Sequence, residues 1–561
     1  MLNRIAAFLS IPPLAVRMFK MANELSGLDR KTIPTELIPL NTVQLARGLL
    51  NFTVMQSLEG WILPFWAVHQ YDPRSTGFIP RSHLGLSINL TARNWTAVGS
   101  GVCSIEPVID PRGLITPFRN GWSIDLWLKV NGRVVFPSQE FRVDQRLVND
   151  FPLVSTKWET QGVELESIVY VSGHTLVIRT TIRNTTSAPL SATLGIALRP
   201  FNPEGTSLLH EITFDRGSIT FIINGGDQLR LPSPPDFVHC SNFEEGDSAR
   251  CFVVSAKSPQ VHRSSCPAGL ASGLAAYVLQ IPAEEERVLA ASIPLDVRGG
   301  AIEDPACIVE EWRRLLATGT AIRTPDEHLN RVLNASLGTL LLLVDNDSIT
   351  PGPWTYHQFW FRDAAVMLRA LDAFGFHSQT RSVIRSFPAR QTRDGYFRSQ
   401  QGEWDSNGQA LWSVWQHAVL SHDSTVAGDL LPSLRSGVDW IDRMRRTAPR
   451  DAGKAWEGLL PAGLSAEHLG LADYYFWDDW WSAAGVQAFL RLADWTNSSA
   501  ETGNARILLE DLRQATERAV QHVRAVKHVS GIPAGPTRGT DCGMIGSCVA
   551  WYPLQELPAS D

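Results

Sequence analysis

Gln358-Phe359-Trp360-Phe361-Arg362-Asp363, Trp404-Asp405-Ser406-Asn407-Gly408-Gln409-Ala410-Leu411-Trp412 and Tyr474-Tyr475-Phe476-Trp477-Asp478-Asp479-Trp480-Trp481 are three clusters within one stretch, Trp354 to Trp481. In each, flat aromatic rings stand beside carboxylates, with an amide and a guanidinium among them. Rings cover the apolar faces of a pyranose, and the polar groups bridge its hydroxyls. The bland alternative is a set of amphipathic helices with buried tryptophans, since large apolar pockets are lined in the same way. Three such clusters in one helical region favour the sugar-binding reading.

The clusters fall where helical patterning dominates. Thr324-Pro325-Asp326-Glu327 has the form of a helix start, with Thr as N-cap and Pro at the first helical position. Helices are expected over 325–345, 358–375, 378–390, 408–421, 426–446, 477–495 and 500–527. Asp541 to Ser547 has the form of an entry to one more. No fixed-length repeat is visible, which favours a closed helical barrel over a regular solenoid.

Upstream, residues 61–300 have β character. Gly85 to Thr91 alternates apolar and polar positions. In Leu128-Lys129-Val130-Asn131-Gly132-Arg133-Val134-Val135-Phe136, Asn131-Gly132 supplies the two positive-φ positions of a type I′ hairpin turn. Leu176 to Arg183, Ala192 to Leu198 and Ile219 to Ile223 read as further strands. Many short strands with turn signals between them indicate an antiparallel sandwich. The Pro-, Ser- and acid-rich stretch Leu231 to Asp247 reads as an exposed loop. Residues 301–323 read as a helical linker, with its helix over Ile302 to Leu316. Residues 1–60 carry no assigned role, although Ala15 to Leu25 has the pattern of a short amphipathic helix.

The chain has 561 residues, too many for one compact core, so two or three domains are expected. A hydrophobic fraction of 44% and a charged fraction of 19% exclude a disordered chain. The net charge of −7 and the lack of a broad basic face argue against a nucleic-acid partner. Core packing alone seldom needs nineteen tryptophans, so some are expected to line a binding cleft. The seven cysteines fit no zinc or redox spacing, and an odd count fits free thiols in a reducing, cytoplasmic setting. A Cys240–Cys251 bridge is the alternative in a secreted protein. Met1 to Asn23 reads poorly as a signal peptide. No apolar run is long enough for a membrane span. The Asn-x-Ser/Thr triplets at Asn94 and Asn334 read as chance matches. No cofactor is expected.

Within the clusters, Arg362 suits bidentate contact to paired oxygens, and Asp363 can accept from two sugar hydroxyls. An intrachain Arg–carboxylate pair at a helix start is the alternative for them. Asp405 and Asn407, with Gln409, surround Gly408 before a helix, either as an N-capping turn or as a sugar-contact loop walled by Trp404 or Trp412. Asp478 and Asp479 sit in the first turn of a helix, where the dipole lowers a carboxyl pKa. Burial against Trp477, Trp480 and Trp481, and the like charge of the neighbouring acid, push the other way. One carboxyl is thereby held protonated near neutral pH, as protonation of a glycosidic oxygen requires. Ser482 stands where a metal-binding Asp-Asp-x-x-Asp box needs its third acid, so no metal is expected there. Glu457 and Glu467 flank a loop that can reach a cleft. His357, His417 and His468 are isolated, and isolated histidines are more often structural.

Phe359-Trp360-Phe361-Arg362-Asp363-Ala364 resembles the aromatic-Trp-x-Arg-Asp segment of the glucoamylase-like glycosidases. Asp405 to Leu411 is similar to their Asp-Gly-x-Ala-Leu segment, with extra residues between Asp and Gly. Trp477-Asp478 falls where that family has Trp followed by its catalytic acid. The broader resemblance is to the six-hairpin (α/α)6 glycosidases, many of which carry an N-terminal β-super-sandwich. It implies a β-sandwich at 61–300 and a toroidal all-α domain at 324–561. It also implies that Arg362 and Asp363 grip the sugar; Trp360, Trp404, Asp405, Asn407, Trp477, Asp479, Trp481 and Glu467 are the further sugar contacts expected from the clusters and their loops. Asp478 then has the role of general acid in an inverting cleavage of an oligo- or disaccharide.

One departure stands out. An inverting enzyme needs a second carboxylate, roughly 6.5–9.5 Å from the first, to activate water. The family places it in the last hairpins. Twelve helices of about 11–12 residues plus connections need more chain than follows Thr324, so the helical domain is expected to be incomplete and the usual base missing. A sugar phosphorylase of the same fold, with phosphate in place of activated water, is a second reading. A truncated or inactive homologue that only binds glycans is a third.

Overall fold

The computed structural model describes residues 51, 54, 57–75, 78, 95–140, 142–254, 260–354, 357–400, 402–448, 453–465, 472–498 and 502–558. The helix expected over Ala15 to Leu25, the strand expected over Gly85 to Thr91, Asn94, Glu467 and His468 lie outside them. The chain divides into two compact units. One comprises Val43–Leu343 with Pro353–Thr355, and the other includes Val344–Gly352 and Tyr356–Asp561.

The first unit is built on two antiparallel sheets of eight and nine strands. Its central strands are β1 (Ser123–Val130), β2 (Arg133–Val135), β3 (Phe151–Thr160), β4 (Val163–Ser172), β5 (Thr175–Asn184), β6 (Leu190–Arg199), β7 (Phe237–Ser241), β8 (Ser272–Ile281) and β9 (Glu286–Pro294). The eight-stranded sheet runs β1-β6-β8-β7, with β2 paired to β1. The nine-stranded sheet runs β9-β5-β4-β3. Leu194 lies opposite both Leu128 and Tyr277 in the first sheet, and Val169 lies opposite Ile178 in the second. Side chains from both sheets, Leu126, Leu128 and Ile196 with Val169, Val171 and Ile178, share one buried core, as in an aligned sandwich.

The β1–β2 hairpin turns at Asn131 (φ 49°) and Gly132 (φ 80°), the geometry expected of that pair. β5 and β6 are consecutive in sequence but belong to different sheets, so their polar connection crosses the sandwich. The stretch Leu231 to Asp247 departs from the expected exposed loop. It contains β7, and it ends at Asp247, which is buried against Arg199. The Arg199 Nη1 and Nη2 atoms meet the two Asp247 oxygens at 2.5 and 2.7 Å. The rings of Trp61, Trp127 and Phe201 lie 5.1–5.8 Å from the guanidinium.

Two helices close this unit. α1 (Pro305–Leu316) is capped by Asp304, which accepts from the Ala306 N–H. α2 (Glu327–Leu342) starts two residues after the expected point. Asp326 is its N-cap and accepts from the His328 and Leu329 N–H groups, while Thr324 pairs instead with Asn330. Both Thr and Asp are good caps, and here the Asp reaches the helix-end donors.

The second unit is helical. α3 (Phe361–Ala373), α4 (His377–Arg385), α5 (Ser406–Ser421), α6 (Ser424–Thr447), α7 (Phe476–Trp495) and α8 (Gly503–Lys527) are its helices of nine or more residues among those described. α5 packs against both α3 and α7, α4 against α3 and α5, α6 against α5 and α7, and α8 against α7. Burial follows this packing. α5 and α7 are buried around most of their circumference, whereas α6 and α8 bury one face. Asp541 to Ser547 yields only a four-residue helix, Met544–Ser547.

All seven cysteines are free, so no Cys240–Cys251 bridge is present. Among the described residues, no helix is long and apolar enough to cross a membrane.

Candidate active site

Aromatic packing fixes the start of α3. The Phe361 ring meets Phe359, Phe387 and Phe397 edge-on at 4.9–5.5 Å, and its N–H donates to Ser399 Oγ at 2.7 Å. This holds Arg362 and Asp363 in the first turn. Arg362 Nη1 lies 3.3 Å from Glu403 Oε2 and 3.4 Å from Asp405 Oδ2. The guanidinium thus bridges two carboxylates of its own chain, the alternative weighed for it against a sugar grip. Asp363 is partly exposed.

Asp405 stands at the N-cap of α5, but its side chain does not cap. Its Oδ2 accepts from Trp477 Nε1 at 2.8 Å and from Gln409 Nε2 at 2.8 Å, as well as from Arg362. Asn407 departs from the expected sugar contact. It is fully buried, accepts from the Phe397 N–H and donates to the Gly395 and Gly437 carbonyls. Its amide is occupied in tying the loop to α5 and α6.

Trp404 also faces inward. It packs on Trp440 and Tyr396, with centroids 6.0 and 6.1 Å away. Trp481 is buried between Trp412 and Trp477. Trp360 is buried, and its Nε1 reaches the Gln400 amide oxygen at 3.0 Å when that amide is oriented to donate to Glu403. Among the tryptophans named from sequence, Trp477 is the one that remains partly exposed.

α5 and α7 approach closely enough to join these groups because two glycines face each other. A Cβ on Gly485 would lie 2.5 Å from Gly408 Cα, and one on Gly408 would lie 2.1 Å from the Trp481 carbonyl oxygen. Gly408 is inside α5, and its service is to helix contact.

Asp478 and Asp479 occupy the first turn of α7 and are both buried. Asp479 Oδ1 accepts from the Leu460 N–H at 2.9 Å. Neither oxygen of Asp478 has a hydrogen-bond partner among the described residues. Burial, then the like charges of Asp405, Asp479 and Glu403, push the Asp478 pKa well above the usual carboxylate range, with Arg362 opposing. Burial also raises Asp479 to about 7, against the Leu460 hydrogen bond. Glu403 is pushed to about 7, by burial first; Arg362 opposes this and the Asp405 charge adds to it. Burial, the largest cause in each case, favours the protonated form of all three carboxyls.

Glu403 was not singled out from sequence, nor was Tyr396, whose hydroxyl lies 2.6 and 2.7 Å from the Gln400 and Glu403 carbonyl oxygens. The signal for Glu403 was its place in Glu403-Trp404-Asp405, two acids flanking a ring. Glu457 accepts from the Gly453 N–H and serves its own loop. His357 lies near Asp345 and Thr350, and His417 is buried against Asp372.

No protein-family model matches the chain, and no curated protein does. Solved structures do. A bacterial glucoamylase complexed with acarbose superposes with a TM-score of 0.55 at 10% sequence identity, over 77% of this chain and 67% of that one. The fold is glucoamylase-like. A protein described as a kojibiose phosphorylase from the human microbiome aligns at a TM-score of 0.44 and 8% identity, over 80% of this chain and 64% of that one. The glucoamylase-like fold agrees with what the aromatic-Trp-x-Arg-Asp and Trp-Asp segments implied, a β-sandwich followed by a helical domain. In that fold, Arg362 begins α3, Asp405 begins α5 and Asp478 begins α7, so the three clusters meet at the N-terminal ends of successive packed helices.

Proposed function

We propose that the chain is a carbohydrate-active protein of the glycoside hydrolase type. On this reading it cleaves a glycosidic bond of an oligo- or disaccharide with inversion, and Asp478 is the general acid. The observation that carries the reading is the Asp478 carboxyl. It is buried, neither oxygen is hydrogen-bonded among the described residues, and three acidic neighbours favour its protonated form. A carboxyl in that state can deliver a proton to a glycosidic oxygen at neutral pH. Arg362 holds Glu403 and Asp405 together beside it, and Trp477 and Asp363 offer the partly exposed ring and carboxylate for a sugar. The glucoamylase-like fold supports this class of substrate by analogy.

The test is sugar release from a panel of α-linked disaccharides, with and without inorganic phosphate, for wild type and Asp478→Asn. Phosphate-independent release that Asp478→Asn abolishes, with the fold retained, is expected. Release that requires phosphate would move the protein to the phosphorolytic reading. An unaffected rate in the variant would remove Asp478 from the chemistry, and glycan binding without turnover would leave a lectin-like homologue.

A further inference from the structure

A second cluster of chemically capable side chains lies at the other ends of the helices that carry the site. α3 ends at Ala373, the chain reverses through Gly375 (φ 86°), and α4 begins at His377. The reversal brings Asp372 and His377, five residues apart, to one point. His417, near the end of α5, reaches the same point. Asp372 Oδ1 lies 2.8 Å from His377 Nδ1 and 3.0 Å from His417 Nδ1, and Oδ2 also lies 3.0 Å from His417 Nδ1. One carboxyl oxygen and two imidazole nitrogens thus lie within 4.8 Å of one another.

The surroundings are those of a built site. The side chains of Asp372 and His417 are 1% exposed, and that of His377 is 33% exposed. The two imidazoles are the only side-chain partners of the Asp372 carboxylate among the described residues. The Nε2 of His417 is buried with no hydrogen-bond partner among the described residues.

The geometry points to a divalent transition-metal site, of the Zn²⁺ class, formed by Asp372, His377 and His417. Two imidazoles and a carboxylate suit Zn²⁺ or Co²⁺ better than the all-oxygen preference of Ca²⁺ or Mg²⁺. Tetrahedral coordination at about 2.0–2.1 Å separates ligand atoms by roughly 3.3 Å, so each Asp372–His separation, 2.8 and 3.0 Å, need open by only a few tenths of an ångström. His377 is 33% exposed, so the cluster is reached from solvent on that side, where water would be the fourth ligand. The ion would clamp the α3–α4 turn to α5. Those helices present Arg362 and Asp405 at their opposite ends, so its service is positional, and it needs no part of the proposed glycosidase reading.

The experiment is Co²⁺ titration of the full chain after chelation and dialysis, followed by visible absorption, with thermal midpoints in Zn²⁺ and in EDTA. One equivalent of Co²⁺ with tetrahedral d–d bands, displaced by Zn²⁺, is expected. The thermal midpoint should rise in Zn²⁺ relative to EDTA. His377→Ala, a partly exposed position, should fold, weaken Co²⁺ binding at least tenfold and lose the Zn²⁺-dependent rise. Absence of the bands in wild type would overturn the proposal. So would bands retained in His377→Ala, which would place the ion elsewhere.

Discussion

Trp477 Nε1 donates to Asp405 Oδ2 at 2.8 Å. The residue beside the buried Asp478 is thereby held by the same carboxylate oxygen that Gln409 and Arg362 reach. Trp477→Phe keeps a ring and removes this donor. Asp405 is buried, so the loss of one hydrogen bond to its carboxylate should cost about 1.5–3 kcal/mol. A denaturation midpoint equal to that of wild type would show that the bond contributes nothing.

Asp478→Asn separates chemistry from stability. Turnover on whichever disaccharide wild type cleaves should fall by roughly 10²–10⁴-fold, the usual contribution of a positioned acid. The stability effect has a definite sign. The folded pKa of Asp478 lies above its unfolded value, so its contribution to stability is complete below about pH 4 and is lost as pH rises through the raised pKa. Asparagine has no such proton to lose. Wild type should therefore lose stability relative to Asp478→Asn with rising pH. Thermal midpoints of the two that run parallel from pH 4 to 9 would contradict this.

Removing the charge of Arg362 with Arg362→Met leaves Glu403 and Asp405 buried together without a cation. A loss of about 3–5 kcal/mol is expected, as for a broken buried pair. Glu403 should also titrate above its present value of about 7. Adding Glu403→Gln should restore part of the loss, with a coupling of about 0.5–3 kcal/mol in a double-mutant cycle. Strict additivity would mean that the bridge is not an energetic unit.

Gly485→Ala should separate α5 from α7, because its methyl would stand 2.5 Å from Gly408 Cα with only backbone opposite. Overpacking of this kind costs about 1–3 kcal/mol or more, and it would also displace Asp405 from Asp478, reducing any turnover. Gly428 in α6 has open space where a Cβ would go. There alanine should stabilise by about 0.5–1 kcal/mol. Chemical denaturation of both variants checks the contrast.

In the sandwich, Asp247→Ala should strand the Arg199 guanidinium, which is 1% exposed. The two-point contact and the surrounding rings predict a loss of about 3–5 kcal/mol, read from the unfolding of the β unit. A change below 1 kcal/mol would mean that water or another acceptor replaces the carboxylate.

The sequence by itself determined the features governed by residues within about one turn or one hairpin of each other. The Asn131-Gly132 turn, the strand over Leu176 to Arg183, the helix that carries Arg362 and Asp363 in its first turn and the acidic first turn of α7 all follow from local backbone preference and residue pattern. The rise of the Asp478 pKa by burial was legible too, because three tryptophans beside two acids already imply a low-dielectric setting. Only the tertiary structure decided which polar groups meet. Arg362 faces Glu403 and Asp405 across about forty residues, and Trp477 reaches Asp405 across seventy-two. Such pairings depend on the approach of α5 to α7 through Gly408 and Gly485, and no local rule specifies that distance. The same reason turned Asn407 inward and set β5 and β6 in different sheets. A side chain's type limits what it can bond, but the packing of distant elements selects the partner.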